Sequence, residues 1–121
     1  MFSFLRRSGP RPEPITPTEA VARAGAGTLR LIDVREIGEL KSSGKAKGAL
    51  HIPLGTIEAR LNPQAGLPEG ITRDTPLCLY CAAGGRSASA AATLLRLGFT
   101  QVYNLGGLGQ WQAGGGEIEK V

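Results

Sequence analysis

Seven consecutive residues, Cys81-Ala82-Ala83-Gly84-Gly85-Arg86-Ser87, gather a thiol, a guanidinium and a hydroxyl between two elements of different type. The apolar run Leu77–Tyr80 before them reads as a strand, and the alanine-rich run from Ser87 reads as a helix. A tight loop between a strand end and a helix start can turn its backbone N–H groups inward, above the positive end of the helix dipole. Glycines permit this, because converging N–H groups usually need left-handed residues. Such a nest stabilises negative charge. A cysteine held over it ionises readily, and the thiolate is the nucleophilic form. The predicted chemistry is therefore attack by a Cys81 thiolate from a loop that cradles an anion. Ser87 is expected to cap the helix.

The rest of the chain must deliver that loop to a rim. Thr16-Pro17-Thr18-Glu19 is a capping box that opens a helix to about Ala24. Thr28–Ile32 reads as a strand, with Asp33-Val34-Arg35-Glu36 at its carboxyl end. Ile37–Ser43 reads as a helix closed by Gly44, Lys45–Gly48 as a basic turn, and Ala49–Ile52 as a short strand stopped by Pro53. Leu54, Ile57 and Leu61 share one helical face, and Asn62–Pro76 is loop by its prolines and glycines. Gly98 is a natural stop for the helix that starts at Ser87. Gln101–Leu105 reads as the last strand, Gly106–Trp111 as the start of a short helix, and Gly114-Gly115-Gly116 as the way into a loose polar tail. Strands alternate with helices, which predicts an α/β fold: a central parallel sheet with helices on both faces. Ligands of such sheets sit at the carboxyl ends of the strands. Asp33, Cys81 and Gly106 each follow a strand and are expected at one rim.

Composition narrows the function. The chain has 121 residues, 41% hydrophobic and 20% charged, which suits one soluble domain over 15–118, a flexible arm over 1–14 and a short tail over 119–121. The net charge of +4 is spread out, with no basic stripe interleaved with aromatics, so nucleic acid is not an expected partner. No stretch is long enough to span a membrane, and the N-terminus does not read as a secretory signal. A reducing cytoplasm is the expected compartment. Cys78 and Cys81 would lie about 10 Å apart along a strand, too far for a disulfide. Cys78 reads as a small core residue. A Cys-x-x-Cys metal or redox site would place both sulfurs on a turn, and no second ligand pair is present. No metal or cofactor is called for.

Cys81-Ala-Ala-Gly84-Gly85-Arg86-Ser87 resembles the Cys-x-x-Gly-x-Arg-Ser active-site loop of single-domain rhodanese-like sulfurtransferases. Asp33-Val34-Arg35-Glu36 is similar to their Asp-Val-Arg segment, and Gly48-Ala49-Leu50-His51-Ile52-Pro53-Leu54 to their Gly-Ala-x-x-Ile-Pro-Leu segment. Asn104-Leu105-Gly106-Gly107 with Trp111 resembles their C-terminal glycine pair and tryptophan. The resemblance implies a persulfide on Cys81 and an aspartate–arginine pair near the loop, here Asp33 with Arg86. The chain departs from the family where Gly44-Lys45-Ala46-Lys47 stands in place of a Gly-His-Ile turn. Loop positions 82 and 83 are both alanine, where members that favour thiosulfate often carry a cation.

The implied reaction has two displacements. Cys81 takes a sulfane sulfur from a small anionic donor such as thiosulfate and passes it to cyanide or a thiol, a protein thiol being one candidate. Arg86 is expected to order the loop through Asp33. Arg35 is a candidate for holding an anionic donor, or else a solvated surface arginine. His51 reads as structural or exposed, not as a base, and Trp111 as packing. Two other functions compete: a binding or regulatory module that keeps the fold without transferring sulfur, and a cysteine phosphatase or arsenate reductase. Four residues separate Cys81 from Arg86, one fewer than the phosphatase loop has, which favours a single sulfur over a tetrahedral oxyanion.

Overall fold

The computed structural model describes residues 11–121. Thr16 opens α1 (Pro17–Gly25) by accepting the Glu19 N–H on its Oγ1 at 3.1 Å, as its capping box predicts. Then follow β1 (Arg30–Asp33), α2 (Ile37–Ser43), β2 (Lys45–Ala46) and β3 (Leu50–His51). A 3-10 turn (Leu54–Thr56) leads into α3 (Ile57–Arg60), so the helix expected over 54–61 is split into two short turns. After the long loop come β4 (Leu77–Cys81), α4 (Gly85–Arg96), β5 (Val102–Gly107), α5 (Leu108–Ala113) and β6 (Ile118–Glu119). Among the described residues, no helix is long and apolar enough to cross a membrane.

The main sheet has the order β3-β1-β4-β5 and is parallel throughout. All five residues of β4 are buried, as a central parallel strand covered on both faces requires. The pleat divides them. Leu77, Leu79 and Cys81 join the cluster that holds Ile57 and Leu61 from the α3 region and Ala90, Ala91 and Leu94 of α4. Cys78 and Tyr80 join the opposite cluster, with Ala20 of α1 and Trp111 of α5. The alanines of α4 let its backbone lie close to the strands.

Two expectations are corrected by non-local pairing. The basic turn and the loose tail are one small antiparallel ribbon: Lys45 faces Glu119 and Ala46 faces Ile118. Ion pairs from Lys45 to Glu119 and from Lys47 to Glu117 match the two segments, and Ile118 packs on the Trp111 cluster. Residues 1–10 of the expected arm lie outside the described residues. Its last part is paired: the Glu13 N–H donates to the Val102 carbonyl at 2.8 Å, beside the edge strand β5. That bond covers part of an edge that would otherwise offer unpaired groups.

The ribbon is fastened to the sheet by a buried hydroxyl. The Ala46 N–H donates to Tyr80 Oη at 2.8 Å. Tyr80→Phe leaves that N–H without a partner and is expected to cost about 1–2 kcal/mol of stability, read from denaturant unfolding. The Cys81 face is untouched, so the thiol should react with a maleimide probe at the wild-type rate. Slower labelling would show that the two faces are coupled.

Candidate active site

β4 carries Cys81 to the carboxyl rim of the sheet, where the residue is 1% exposed. Gly84 lies in the left-handed region (φ +109°), which favours glycine, and its N–H donates to Cys81 Sγ at 3.0 Å. The N–H groups of Ala83 and Ser87 add to the same stabilisation, and Ser87 Oγ lies 3.4 Å from the sulfur. Burial is the largest single influence on this thiol and pushes its pKa up, but the hydroxyl and the three N–H groups together outweigh it. The result is a pKa lowered to about 7, so near neutrality roughly half the thiol is ionised.

The wall of this nest is built by β5. Leu79 pairs with Asn104 but Tyr80 pairs with Gly106, so Leu105 is an extra residue and the strand bends at a bulge. The bend brings Asn104 and Gly106 against the loop. Asn104 Nδ2 donates to the Gly84 carbonyl at 3.2 Å, while its Oδ1 accepts from the Gly106 N–H at 3.0 Å and, 2.7 Å from Ser87 Oγ, competes with the Cys81 sulfur for the single hydroxyl proton. Asn104 was not singled out from the sequence. Its signal was a polar amide inside an otherwise apolar strand. Ser87 is corrected as well: Gly84 is the N-cap of α4, and Ser87 lies in its first turn as a buried bridge between Cys81 and Asn104. Gly107 lies opposite Cys81, and its N–H donates to Gln110 Oε1 at 2.9 Å.

The expected Asp33–Arg86 pair does not form. Arg86 holds Glu39 instead, with Nη1 to Oε2 at 2.7 Å and Nη2 to Oε1 at 2.9 Å. This bidentate bond lowers the Glu39 pKa to about 2 and raises that of Arg86. Glu39 was also missed. Its position three residues after Glu36, at the start of a helix, was the available sign, and the Glu36 N–H donates to Glu39 Oε2 at 3.0 Å.

Asp33 does reach the carboxyl rim, but on the other side of the sheet. It pairs with Tyr80 rather than with Cys81 in the ladder, so its side chain shares the Tyr80 face. There it accepts from Arg35 through Nε at 3.0 Å and Nη2 at 2.8 Å. Arg35 is therefore neither a solvated arginine nor free for a donor. It is 3% exposed, donates to the Gly44 carbonyl at 2.6 Å and to Ser43 Oγ at 2.8 Å, and lies over the Tyr80 ring. Asp33 and Arg35 clamp the end of α2 to the sheet. His51 Nε2 donates to the Arg35 carbonyl at 2.6 Å, a structural role. Cys78 is buried, and that burial pushes its thiol up to about 12. Ala82, Ala83 and Gly85 form the exposed face of the cysteine loop.

The family model for the rhodanese-like domain matches residues 16–114. An uncharacterized Bacillus subtilis protein, YqhL, is 42% identical over 105 residues, covering 86% of this chain and 75% of its own. A solved structure from Rhodopseudomonas palustris, of unknown function and described as a possible tyrosine phosphatase, superposes with a TM-score of 0.77 at 33% identity, covering 89% of this chain and 85% of that one. The human single-domain sulfurtransferase TSTD1 superposes with a TM-score of 0.70 at 26% identity, covering 87% of this chain and 97% of that one.

Proposed function

The chain belongs to the rhodanese-like domain family, and from that premise we propose that it is a sulfurtransferase working through a Cys81 persulfide. The observation that carries this reading is the Cys81 sulfur itself, held at 3.0 Å by the Gly84 N–H in a nest that lowers its pKa to about 7. The Cys81 thiolate attacks the outer sulfur of a sulfane donor. With thiosulfate, the S–S bond of the donor breaks, sulfite leaves with the electron pair, and Cys81 becomes a persulfide anion. The loop N–H groups then face that anion. Cyanide or a thiolate attacks its outer sulfur, the new S–S bond breaks, and the Cys81 thiolate returns. No general acid is needed, because both leaving groups depart as stable anions.

The described likeness of one neighbour to a tyrosine phosphatase raises the second chemistry. Two observations oppose it for this chain. The loop holds only four residues between Cys81 and Arg86, and the charge of Arg86 is already met by the Glu39 carboxylate through two guanidinium nitrogens.

The test is the intact mass of the protein after incubation with thiosulfate or an organic persulfide, without reductant. The expected result is a gain of one sulfur atom, mapped by fragmentation to Cys81 and not Cys78, and removed by cyanide. If no donor adds sulfur to Cys81, the transferase reading fails. Release of phosphate from an aryl phosphate would support the phosphatase reading in its place.

A further inference from the structure

We infer that Glu39 is a specificity-determining residue: by pairing with Arg86 it neutralises the one cation of the cysteine loop, and so favours weakly charged persulfide donors over the thiosulfate dianion. The inference rests on the sulfur-transfer reading of Cys81. Arg86 is the only charged residue of the loop, and it lies near enough to the Cys81 sulfur for that sulfur to help keep it protonated. The Glu39 carboxylate takes one N–H from each of its terminal nitrogens and offsets its charge. Glu39 is itself fixed, because its Oε2 also receives the Glu36 N–H in the first turn of α2. Arg35, the other arginine that follows a rim strand, is buried on the opposite face with Asp33. The exposed loop residues Ala82, Ala83 and Gly85 bring no charge.

Donor charge then decides the approach. Thiosulfate brings two negative charges to a thiolate, and the only guanidinium beside it is already neutralised by Glu39. A persulfide carries at most one negative charge, and its protonated form R–S–SH, the one that offers an electrophilic outer sulfur, carries none there. The Cys81 thiolate attacks its outer sulfur, the S–S bond of the donor breaks, and R–S⁻ leaves with the electron pair. The proton stays on the new Cys81 persulfide until solvent removes it. Charge complementarity acts mainly on such encounters and on discrimination between partners.

The test compares single-turnover loading from thiosulfate and from 2-hydroxyethyl persulfide, generated in situ from its trisulfide and a thiol. Wild type should load faster from the persulfide. Glu39→Gln keeps the side-chain shape and an acceptor for the Glu36 N–H but releases the Arg86 charge. Its thiosulfate rate should rise roughly tenfold, the size of one partly exposed charge-assisted contact, with the persulfide rate within about twofold. The gain should fade as ionic strength rises. Ala83→Lys is a second route, placing a cation on an exposed loop position while the Glu39–Arg86 pair stays intact, and should shift preference the same way. An unchanged thiosulfate-to-persulfide ratio in Glu39→Gln overturns the inference while leaving sulfur transfer standing, and a shifted ratio in Ala83→Lys beside it shows that the assay reads loop charge. Failure of both donors to load wild type removes the sulfur-transfer reading on which it rests.

Discussion

Cys81→Ser is expected to abolish sulfur loading across the whole range from about pH 6 to 9, whatever the donor. A serine hydroxyl does not ionise in that range, and the nest that settles a thiolate cannot make up the difference. In the wild type, the loading rate should rise with pH through a half-point near 7 and then level off, following the thiolate. The same ionisation is linked to stability. The Cys81 pKa is lowered in the folded state, from an ordinary thiol value of 9.0 to about 7. Between those values the unfolded chain binds a proton that the folded chain does not, so wild-type stability rises with pH there. The contribution is fully present above pH 9 and is lost as pH falls through 7. It is worth up to about 2 kcal/mol, reduced from the full value because the loop lies beside solvent. Cys81→Ser lacks this term. The difference in unfolding free energy between wild type and variant should therefore widen by that amount from about pH 6.5 to 9. A difference that stays flat, or loading whose half-point lies near 9, would mean that the nest does not favour the thiolate.

What the sequence revealed best was whatever is local. A strand ending in cysteine, a glycine turn and a small-residue helix are decided by neighbours within a dozen positions, and these set both the parallel fold and the loop. Which face a side chain takes was harder to see. Asp33 and Cys81 both end strands, yet the ladder sets Asp33 beside Tyr80 and Cys81 beside Gly107, so the pleat sends the two to opposite faces of the sheet. The resemblance supplied an Asp33–Arg86 pair that this parity forbids. Arg86 meets instead a carboxylate from α2, 47 residues away, and no local pattern announces that contact. Asn104 was legible in principle, as an amide in an apolar strand, but its use depends on a bulge that only the pairing of β4 with β5 reveals. The β2–β6 ribbon was the least legible, since its pairing of Lys45 with Glu119 joins segments of two residues each.

The bulge also explains why Gly107→Ala should be among the most damaging small substitutions in the chain. Gly107 has ordinary extended dihedrals (φ −131°, ψ 172°), so an alanine there is not strained by its backbone. The obstacle is space. A Cβ at this position would lie 2.2 Å from the Ala82 carbonyl oxygen, 3.0 Å from its carbon and 3.1 Å from Gln110 Oε1. The first two atoms are backbone of the cysteine loop, which has no flexible end to turn aside. Relief requires either the loop or the end of β5 to move by about an ångström. A shift of that size at reacting atoms costs about a hundredfold in rate, because the Gly84 N–H and Ser87 Oγ would no longer converge on the sulfur. The overpacking should also cost about 1–3 kcal/mol of stability. Gly109→Ala is the matching control. Gly109 lies two residues on, in α5, where a Cβ meets nothing within 4 Å, and alanine is the better helix former there by up to about 1 kcal/mol. Loading kinetics at pH 8 and chemical denaturation of both variants should separate the two sites cleanly. Wild-type loading by a folded Gly107→Ala protein would mean that the close approach of β5 to the loop is not what holds the nest in place.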